Sequence, residues 1–287
     1  MSWGNRSQKP EARSQKAEWR IGFLFWLVAC GFWLLSLPAL AQQRPLLTED
    51  PRVIANGALV TETGFAYLRR ARFPLSGLGG DEFQAFDAGL HFGLGPRVEF
   101  QMGGVFHNFL HIKENGSGNR NDWGDFSLST KIKILDETPV LPVVSFRPTV
   151  VLPNSNDSKG IGTNSMSFFA SVLAGKNVGR AFLFGNVGLG ILTDTVQVRA
   201  QQDVLTYGLA AMLPVSPRFS LLSEWNGREN PRSHPTPGGE DHAQVRLGMQ
   251  LRAAGVRWDA GVTAGLTHLD PRAGVVFGLT KEFRLWK

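Results

Sequence analysis

Cysteine is almost absent from this chain, because Cys30 is the only one among 287 residues. A single thiol excludes a disulfide framework and a zinc cluster built from cysteines. If the leader described below is removed, the remaining chain has no cysteine, which also excludes a cysteine nucleophile. Such a composition is compatible with export into an oxidising periplasm.

A large charge excess and a long apolar run are both missing after the first 41 residues. The whole chain has a net charge of +6, but its first 41 residues contain five basic and two acidic side chains, and the rest contains 25 basic and 22 acidic ones. The surplus is too small to predict a nucleic-acid partner. No later run is long enough to cross a bilayer as a helix, and the remaining length corresponds to one domain.

The first 41 residues are typical of a secretory signal peptide. Basic residues precede the apolar run Ile21–Leu37, and Ala39-Leu40-Ala41 places small residues at the −3 and −1 positions of a cleavage site before Gln42. Two alternatives stay open. The run approaches the length of an uncleaved membrane anchor, and Leu27-Val28-Ala29 before Cys30 has the form of a lipidation signal.

Twelve segments of alternating apolar and polar residues follow, each too short to be a membrane helix. Alternation with a period of two predicts strands. We place the strands at Val60–Arg72, Glu82–Gly93, Val98–Leu110, Asp122–Ile134, Val143–Leu152, Asn164–Gly175, Arg180–Leu192, Asp203–Leu213, Arg218–Gly227, Asp241–Arg252, Val256–Leu266 and Gly274–Trp286.

The connections between these segments alternate between short and long. The five short ones are tight turns rich in Gly, Pro, Asn and Asp. The six long ones are polar: Pro74–Asp81, His111–Asn121, Pro153–Thr163, Thr193–Gln202, Arg228–Glu240 and Thr267–Ala273. This asymmetry predicts an all-β fold, a transmembrane antiparallel β-barrel of about 12 strands over residues 60–287, with short periplasmic turns and longer extracellular loops.

Alternation also sorts the side chains onto two faces, but it does not say which face is inside. In a soluble β-sandwich the apolar face is buried, whereas in a membrane barrel it faces lipid. Aromatic residues favour the barrel, because Phe109, Trp123 and Trp225 fall near one set of strand ends and Trp258 and Trp286 near the other. Two such girdles match the two interfaces of a bilayer.

The polar face supplies the candidate lumen-lining residues, which carry charges of both signs. They are Asp87, His91, Glu99, Asp125, Lys131, Lys133, Arg147, Glu224, Arg246, Arg257, Asp259, Glu282 and Arg284. Facing charges in a pore can orient polar solutes. They can equally pair with one another and fill a narrow barrel, since twelve strands lie between filled eight-stranded and open sixteen-stranded forms.

Residues 42–59 precede the first strand and show no clear period. We predict that they form a periplasmic lead-in or a small plug: Pro45 to Gly57 either folds into the lumen or lies on the periplasmic rim.

Three stretches resemble the outer-membrane family named for the meta-pathway of phenol degradation. They are Thr48-Glu49-Asp50 with Gly57, Glu62 and Gly64; Trp123-Gly124-Asp125-Phe126 with Lys131; and Phe146-Arg147-Pro148 through Val151-Leu152-Pro153 with Gly160-Ile161-Gly162-Thr163, in which Asn154-Ser155 replaces the Thr-Gly of the family. The resemblance implies a transporter-like outer-membrane barrel without catalytic residues, and the name of the family implies aromatic solutes.

Two constellations are candidates for other chemistry, and neither is complete. His107 and His111 lack a further metal ligand. Ser233 and His234, followed by Asp241, sit in a Pro- and Gly-rich loop that is a poor support for a hydrolase triad. We therefore predict neither metal, cofactor nor catalytic residue.

The sequence predicts a monomeric outer-membrane channel for passive uptake of a small solute, with aromatic or hydrophobic molecules as the candidates. Outer-membrane lipid, the barrel-assembly machinery and the solute are the expected partners. An outer-membrane lipid hydrolase and a non-conducting structural barrel are the alternatives.

Overall fold

The computed structural model describes residues 44–196 and 200–286, so the predicted leader with Cys30 lies outside the described residues. Thirteen strands are present: β1 Ala58–Phe73, β2 Leu78–Gly93, β3 Val98–Glu114, β4 Asn119–Asp122, β5 Phe126–Leu135, β6 Val143–Leu152, β7 Ser167–Val178, β8 Ala181–Thr193, β9 Gln201–Pro214, β10 Phe219–Glu229, β11 His242–Ala253, β12 Val256–Gly265 and β13 Ala273–Arg284. One 3-10 turn covers Asp157–Lys159.

These strands form a closed antiparallel barrel with twelve positions. Each strand pairs with its neighbours in sequence, and β1 pairs with β13 to close the ring. Strands β4 and β5 share one position, because β4 pairs with β3 at Asn108–His111 and β5 pairs with it at Val98–Gly104. The predicted barrel of about twelve strands is confirmed. Among the described residues, no helix is long and apolar enough to span a membrane.

The connections differ at the two ends of the barrel, which we call the short-turn end and the long-loop end. At the short-turn end the chain turns after β2, β5, β7, β9 and β11; at the long-loop end extended loops begin at Pro153, Asp194, Asn230 and Leu266. Two predicted long connections are wrong in detail. Half of Pro74–Asp81 and seven of the eleven residues of His111–Asn121 are strand, closed by four-residue turns at 74–77 and 115–118.

Glycine makes it possible for the hairpins β1–β2 and β3–β4, here called the tall hairpins, to extend beyond the other strands. A Cβ atom at Gly80 would overlap the carbonyl oxygen of His111 on the adjacent strand, so the close approach of β2 and β3 requires a residue without a side chain. Asn115, Gly116 and Gly118 take positive φ values of 57°, 156° and 93° in the turn that links β3 to β4.

Two bulges change the facing of side chains in the first hairpin. Phe86 and Arg70 both have φ near 54°, and the pairing of β1 with β2 shifts register around each of them. Because a bulge inserts one extra residue into a strand, Phe83 and Phe86 both point outward although they are three residues apart. Simple alternation would have placed them on opposite faces.

The barrel carries its polar residues inside and its apolar residues outside. Leu247 is 62% exposed on the outer surface, whereas Lys131 and Glu99 on the inner surface are 0% exposed. Outward aromatic rings lie in contact near the long-loop end, including Phe83 with Phe109 at 6.3 Å between ring centroids. A soluble β-protein would bury its apolar face. An apolar outer surface around a polar interior is instead the arrangement expected for a barrel surrounded by lipid.

The interior is not polar throughout. Near the short-turn end, one half of the wall contributes an apolar cluster that packs around Leu46: Val143, Phe182, Phe184, Ala210, Met212 and Leu222. At the long-loop end, Leu110, Ile112 and Ile161 form a second cluster, which fixes the loop after β6 against the tall hairpins. A third apolar cluster, Ile54 with Ala58 and Val60, lies where the chain enters β1, and charged and uncharged polar side chains occupy much of the rest of the interior.

Candidate functional site: the N-terminal segment inside the barrel

Residues 44–57, here called the inner segment, lie within the barrel. Their contacts reach strands on every side: Arg44 bonds Asp87 of β2, Glu49 bonds Lys131 of β5, and Thr48 bonds Glu224 of β10. The segment forms no strand, so its backbone groups must find partners elsewhere. They find them in side chains of the wall.

Acidic and amide side chains of the wall hold the backbone of the inner segment. The Glu224 carboxylate accepts hydrogen bonds from the amides of Leu47 at 2.9 Å and Thr48 at 2.8 Å. Gln250 donates to the carbonyl oxygen of Arg44 at 2.6 Å, and Arg246 donates to that of Pro45. Charge-assisted bonds of this kind are about twice as strong as neutral ones.

The other end of the segment is held in the same way. Glu99 accepts from the amide of Ile54 at 2.9 Å, Lys131 donates to the carbonyl oxygen of Asp50 at 3.0 Å, and the Ser145 hydroxyl donates to that of Pro51 at 2.5 Å. Arg52 stacks on the ring of Phe182, with its guanidinium carbon 3.9 Å from the ring centre. The segment is therefore fixed along its length.

A continuous network of buried charges runs from the inner segment across the wall. Lys131 Nζ lies 2.7 Å from Glu49 and 3.3 Å from Glu99, and Glu99 lies 3.0 Å from His91 Nδ1. The network ends at Glu62, whose carboxylate is 3.7 Å from His91 Nε2 and 2.8 Å from Arg257. Buried charges are tolerated only when they are paired, and Glu49 supplies a pair from the segment.

A second set of ion pairs surrounds the start of the segment. Arg44 lies 2.5 Å from Asp87 and 3.6 Å from Asp259, and Arg246 lies 3.6 Å from Glu224. Arg147 Nη2 is 3.8 Å from Glu49, and its Nε donates to Gln101 at 2.7 Å. Arg44 and Glu49 of the segment thus contribute charges that complement those of the wall.

Nine of the thirteen predicted lining residues take part in these contacts, and four lie elsewhere. Asp125 accepts hydrogen bonds from the amides of Asn154 and Ser155, and so holds the loop after β6. Lys133 pairs with Asp136 in the turn after β5 at 2.5 Å. Glu282 and Arg284 lie at the end of β13, by the short turns.

The partners within the inner segment were not among the predicted site residues. Arg44 and Glu49 follow no strand period, so no pattern marked them as facing the wall. Glu62, Gln101 and Gln250 do share the parity of the inward residues on their strands and are buried. Their alternation was a signal that could have found them.

Members of the two constellations considered for other chemistry contact residues outside those constellations. The His107 ring packs on Phe109 at 4.6 Å, while His111 bonds Asn119. The described residues contain no group of three side chains suited to a metal ion. Asp241 accepts a hydrogen bond from the amide of Asn230, and no described hydrogen bond joins Ser233, His234 and Asp241 to one another. The neighbouring His242 pairs with Asp270 at 2.7 Å.

Two cavities lie beside the inner segment, and Leu47 borders both of them. One has a volume of about 270 Å³ and a charged lining that includes Arg44, Asp87 and Arg147. The other, of about 320 Å³, lies between Thr48 and strands β8 to β11. The segment therefore narrows the interior without filling it.

Comparison with solved structures supports the fold. No family model and no curated protein matches this chain. An outer-membrane channel from Pseudomonas putida F1 is similar at 14% identity and a TM-score of 0.61, covering 82% of this chain and 98% of that one. The match to the NanC porin has 7% identity and a TM-score of 0.48, and it covers 77% of this chain and 97% of the porin. The match to the translocator domain of the autotransporter NalP from Neisseria meningitidis has 11% identity and a TM-score of 0.44, and it covers 80% of this chain and 89% of that domain. This chain has the closed antiparallel barrel fold of outer-membrane proteins.

Proposed function

We propose that this protein is an outer-membrane channel for a small solute, and that the inner segment controls passage through it. The apolar outer surface and the aromatic rings near the strand ends support a bilayer location. In this proposal the leader is cleaved before Gln42, the short turns face the periplasm and the long loops face outside. The protein acts as a monomer without cofactor or catalytic residue.

The observation that carries the proposal is the attachment of the inner segment by polar contacts. A permanent structural filling would be held best by apolar packing, since a buried ion pair contributes little net stability against apolar residues of the same volume. Here Glu224, Glu99 and Lys131 hold the backbone of the segment, and buried apolar clusters include it only at Leu46 and Ile54. Water that enters the barrel can replace such contacts, so the segment is a suitable moving part.

The solute is a finer part of the same proposal. The resemblance to the phenol meta-pathway family favours aromatic or hydrophobic molecules. The lining that the structure describes is polar and charged beside Arg44, Asp87 and Arg147, which favours a solute with at least one polar group.

Conductance across planar bilayers tests the channel. We expect purified full-length protein to give small, discrete current steps, and a variant that weakens the hold on the inner segment to give larger ones. Folding is checked by the change of gel mobility on heating. Folded protein that carries no current, with or without the loosened segment, would contradict the channel and favour a structural barrel.

A further inference from the structure

The larger cavity beside the inner segment contains a niche with polar atoms that lack partners. Asn186 of β8, Gly208 of β9 and Asn226 of β10 stand side by side across three strands, all facing inward. Because Gly208 has no side chain, Asn186 and Thr48 of the inner segment meet over it. A Cβ atom at Gly208 would lie 2.4 Å from Asn186 Oδ1 and 2.6 Å from the Thr48 hydroxyl.

Three buried atoms of this niche make no hydrogen bond within the described part of the chain. They are the Thr48 hydroxyl oxygen, Asn186 Oδ1 and Asn226 Nδ2. Thr48 is only 2% exposed. A buried polar group without a partner costs about 1–3 kcal/mol, so three in one place favour a partner toward which these side chains can turn in the adjoining cavity.

The charges around the niche define what could complete it. Glu224 lies two residues from Asn226 on the same face of β10, and its carboxylate is committed to the amides of Leu47 and Thr48. An anion in the niche would lie beside this carboxylate. His242 is paired with Asp270, and Arg228 donates to the carbonyl oxygens of Glu240 and Gly238. The niche itself offers only uncharged groups.

We propose that this niche binds a small neutral solute that presents a donor and an acceptor on neighbouring atoms, as a primary amide does. Asparagine amides offer both a donor and an acceptor whichever way they are oriented, and the Thr48 hydroxyl does the same. Leu47, which borders the cavity and is 55% exposed, contacts the carbon chain of the solute. The cavity volume of about 320 Å³ is enough for a molecule of several heavy atoms.

This inference rests on the proposed function for its role, since the solute must enter through the barrel. The probes are butyramide and butyrate, which have nearly the same shape. Only the amide is neutral and able to donate. Binding to the full chain in detergent is measured by saturation-transfer NMR titration, and we expect butyramide to bind and butyrate to bind at least tenfold more weakly.

Two variants assign the binding to the niche. Thr48→Val removes the hydroxyl at nearly constant shape, and Asn226→Leu removes the amide; each should weaken butyramide binding about five- to tenfold. The matched control is Asn121→Leu on the exposed hairpin strand β4, which should bind as the wild type does. If Asn226→Leu fails to fold, Thr48→Val decides alone. Equal binding of the two probes, or wild-type affinity in Thr48→Val, would overturn the proposal.

The same preparation separates this proposal from the channel. Current without preferential binding of butyramide would leave the channel standing and remove the niche as a solute site. Preferential binding that depends on Thr48, without any current, would leave the niche standing and remove the channel.

Discussion

Replacing Lys131 with methionine removes one positive charge from the centre of the buried network. The side chain is 0% exposed, and its ammonium contacts Glu49 at 2.7 Å, Glu99 at 3.3 Å and the carbonyl oxygen of Asp50 at 3.0 Å. Methionine has a similar length and is flexible, so the loss of volume is small. The variant leaves two buried carboxylates without their shared cation.

The size of the effect follows from that geometry. Removing one partner of a buried ion pair costs about 3–5 kcal/mol, because the other charge stays buried. Two of the three lost contacts lead to the inner segment, while the backbone pairing of β5 with β3 and β6 is unaffected. We therefore expect the cost to appear as detachment of the segment rather than as unfolding of the barrel.

Hydrogen exchange of residues 44–57 measures this detachment. A cost of 3–5 kcal/mol corresponds to faster exchange by roughly two to three and a half orders of magnitude, since 1.4 kcal/mol is a factor of ten. The matched control is Lys133→Met, two residues along the same face, where Lys133 pairs with Asp136 in the turn. It should leave the exchange of the segment unchanged.

A second substitution tests the reasoning behind the expected cost of Lys131→Met. In the double variant Lys131→Met with Glu49→Gln, one of the two unpaired carboxylates is also removed, so part of the protection should return. If the inner segment of Lys131→Met exchanges as slowly as in the wild type, the ion pairs do not hold the segment and the reasoning is wrong.

Three further predictions concern other parts of the molecule. Glu224→Gln should speed hydrogen exchange of the Leu47 and Thr48 amides about tenfold or more, because a charged acceptor becomes neutral. Unchanged exchange would show that the Glu224 carboxylate does not hold these amides. Burial alone would raise the pKa of Asp270, but hydrogen bonds from His242, the Ala243 amide and Thr267 keep that pKa below its usual value of 3.8. The lowered pKa means that the hydrogen bonds to the Asp270 carboxylate are complete above about pH 4 and are lost as the pH falls through the pKa of the folded state. Pepsin should therefore cut the loop 266–272 of the wild type only well below pH 4. The variant Asp270→Asn should be cut at pH 4 as well. Gly80→Ala should lower the stability of the barrel by about 1–3 kcal/mol, because the new Cβ overlaps the His111 carbonyl oxygen; urea titration of the heat-dependent gel shift measures it, and Gly95→Ala, at an open position in a turn, is the control.

Strand alternation predicted the barrel well where one face meets apolar surroundings and the other does not. It failed where that contrast ends. In the upper part of β3 the contrast is reversed, with Leu110 and Ile112 buried inside and His111 and Lys113 exposed outside. The short strand β4 is polar on both faces, so the sequence of this region resembled a loop. The bulges at Phe86 and Arg70 could not be predicted either, because a bulge depends on the register with the neighbouring strand.

The contacts of the inner segment could not be predicted from a sequence pattern, for a different reason. Its backbone is held by single side chains from distant strands, such as Glu224 and Gln250, and these contacts impose no period on residues 44–57. The polar parity of the wall did predict Glu99, Lys131 and Arg246 as inward residues. Alternation shows which way a side chain points, but it does not show which backbone atom the side chain will meet.

The attachment of the inner segment also sets an order of assembly. The segment precedes every described strand, yet Thr48 bonds a residue 176 positions later, Pro45 one that is 201 later and Arg44 one that is 206 later. These partners on β10 and β11 face the partners on β2, β3 and β5 across a closed interior only when β13 has joined β1. The inner segment, although it comes before these strands in sequence, is therefore the last described part to settle, and its docking reports that the ring of strands has closed.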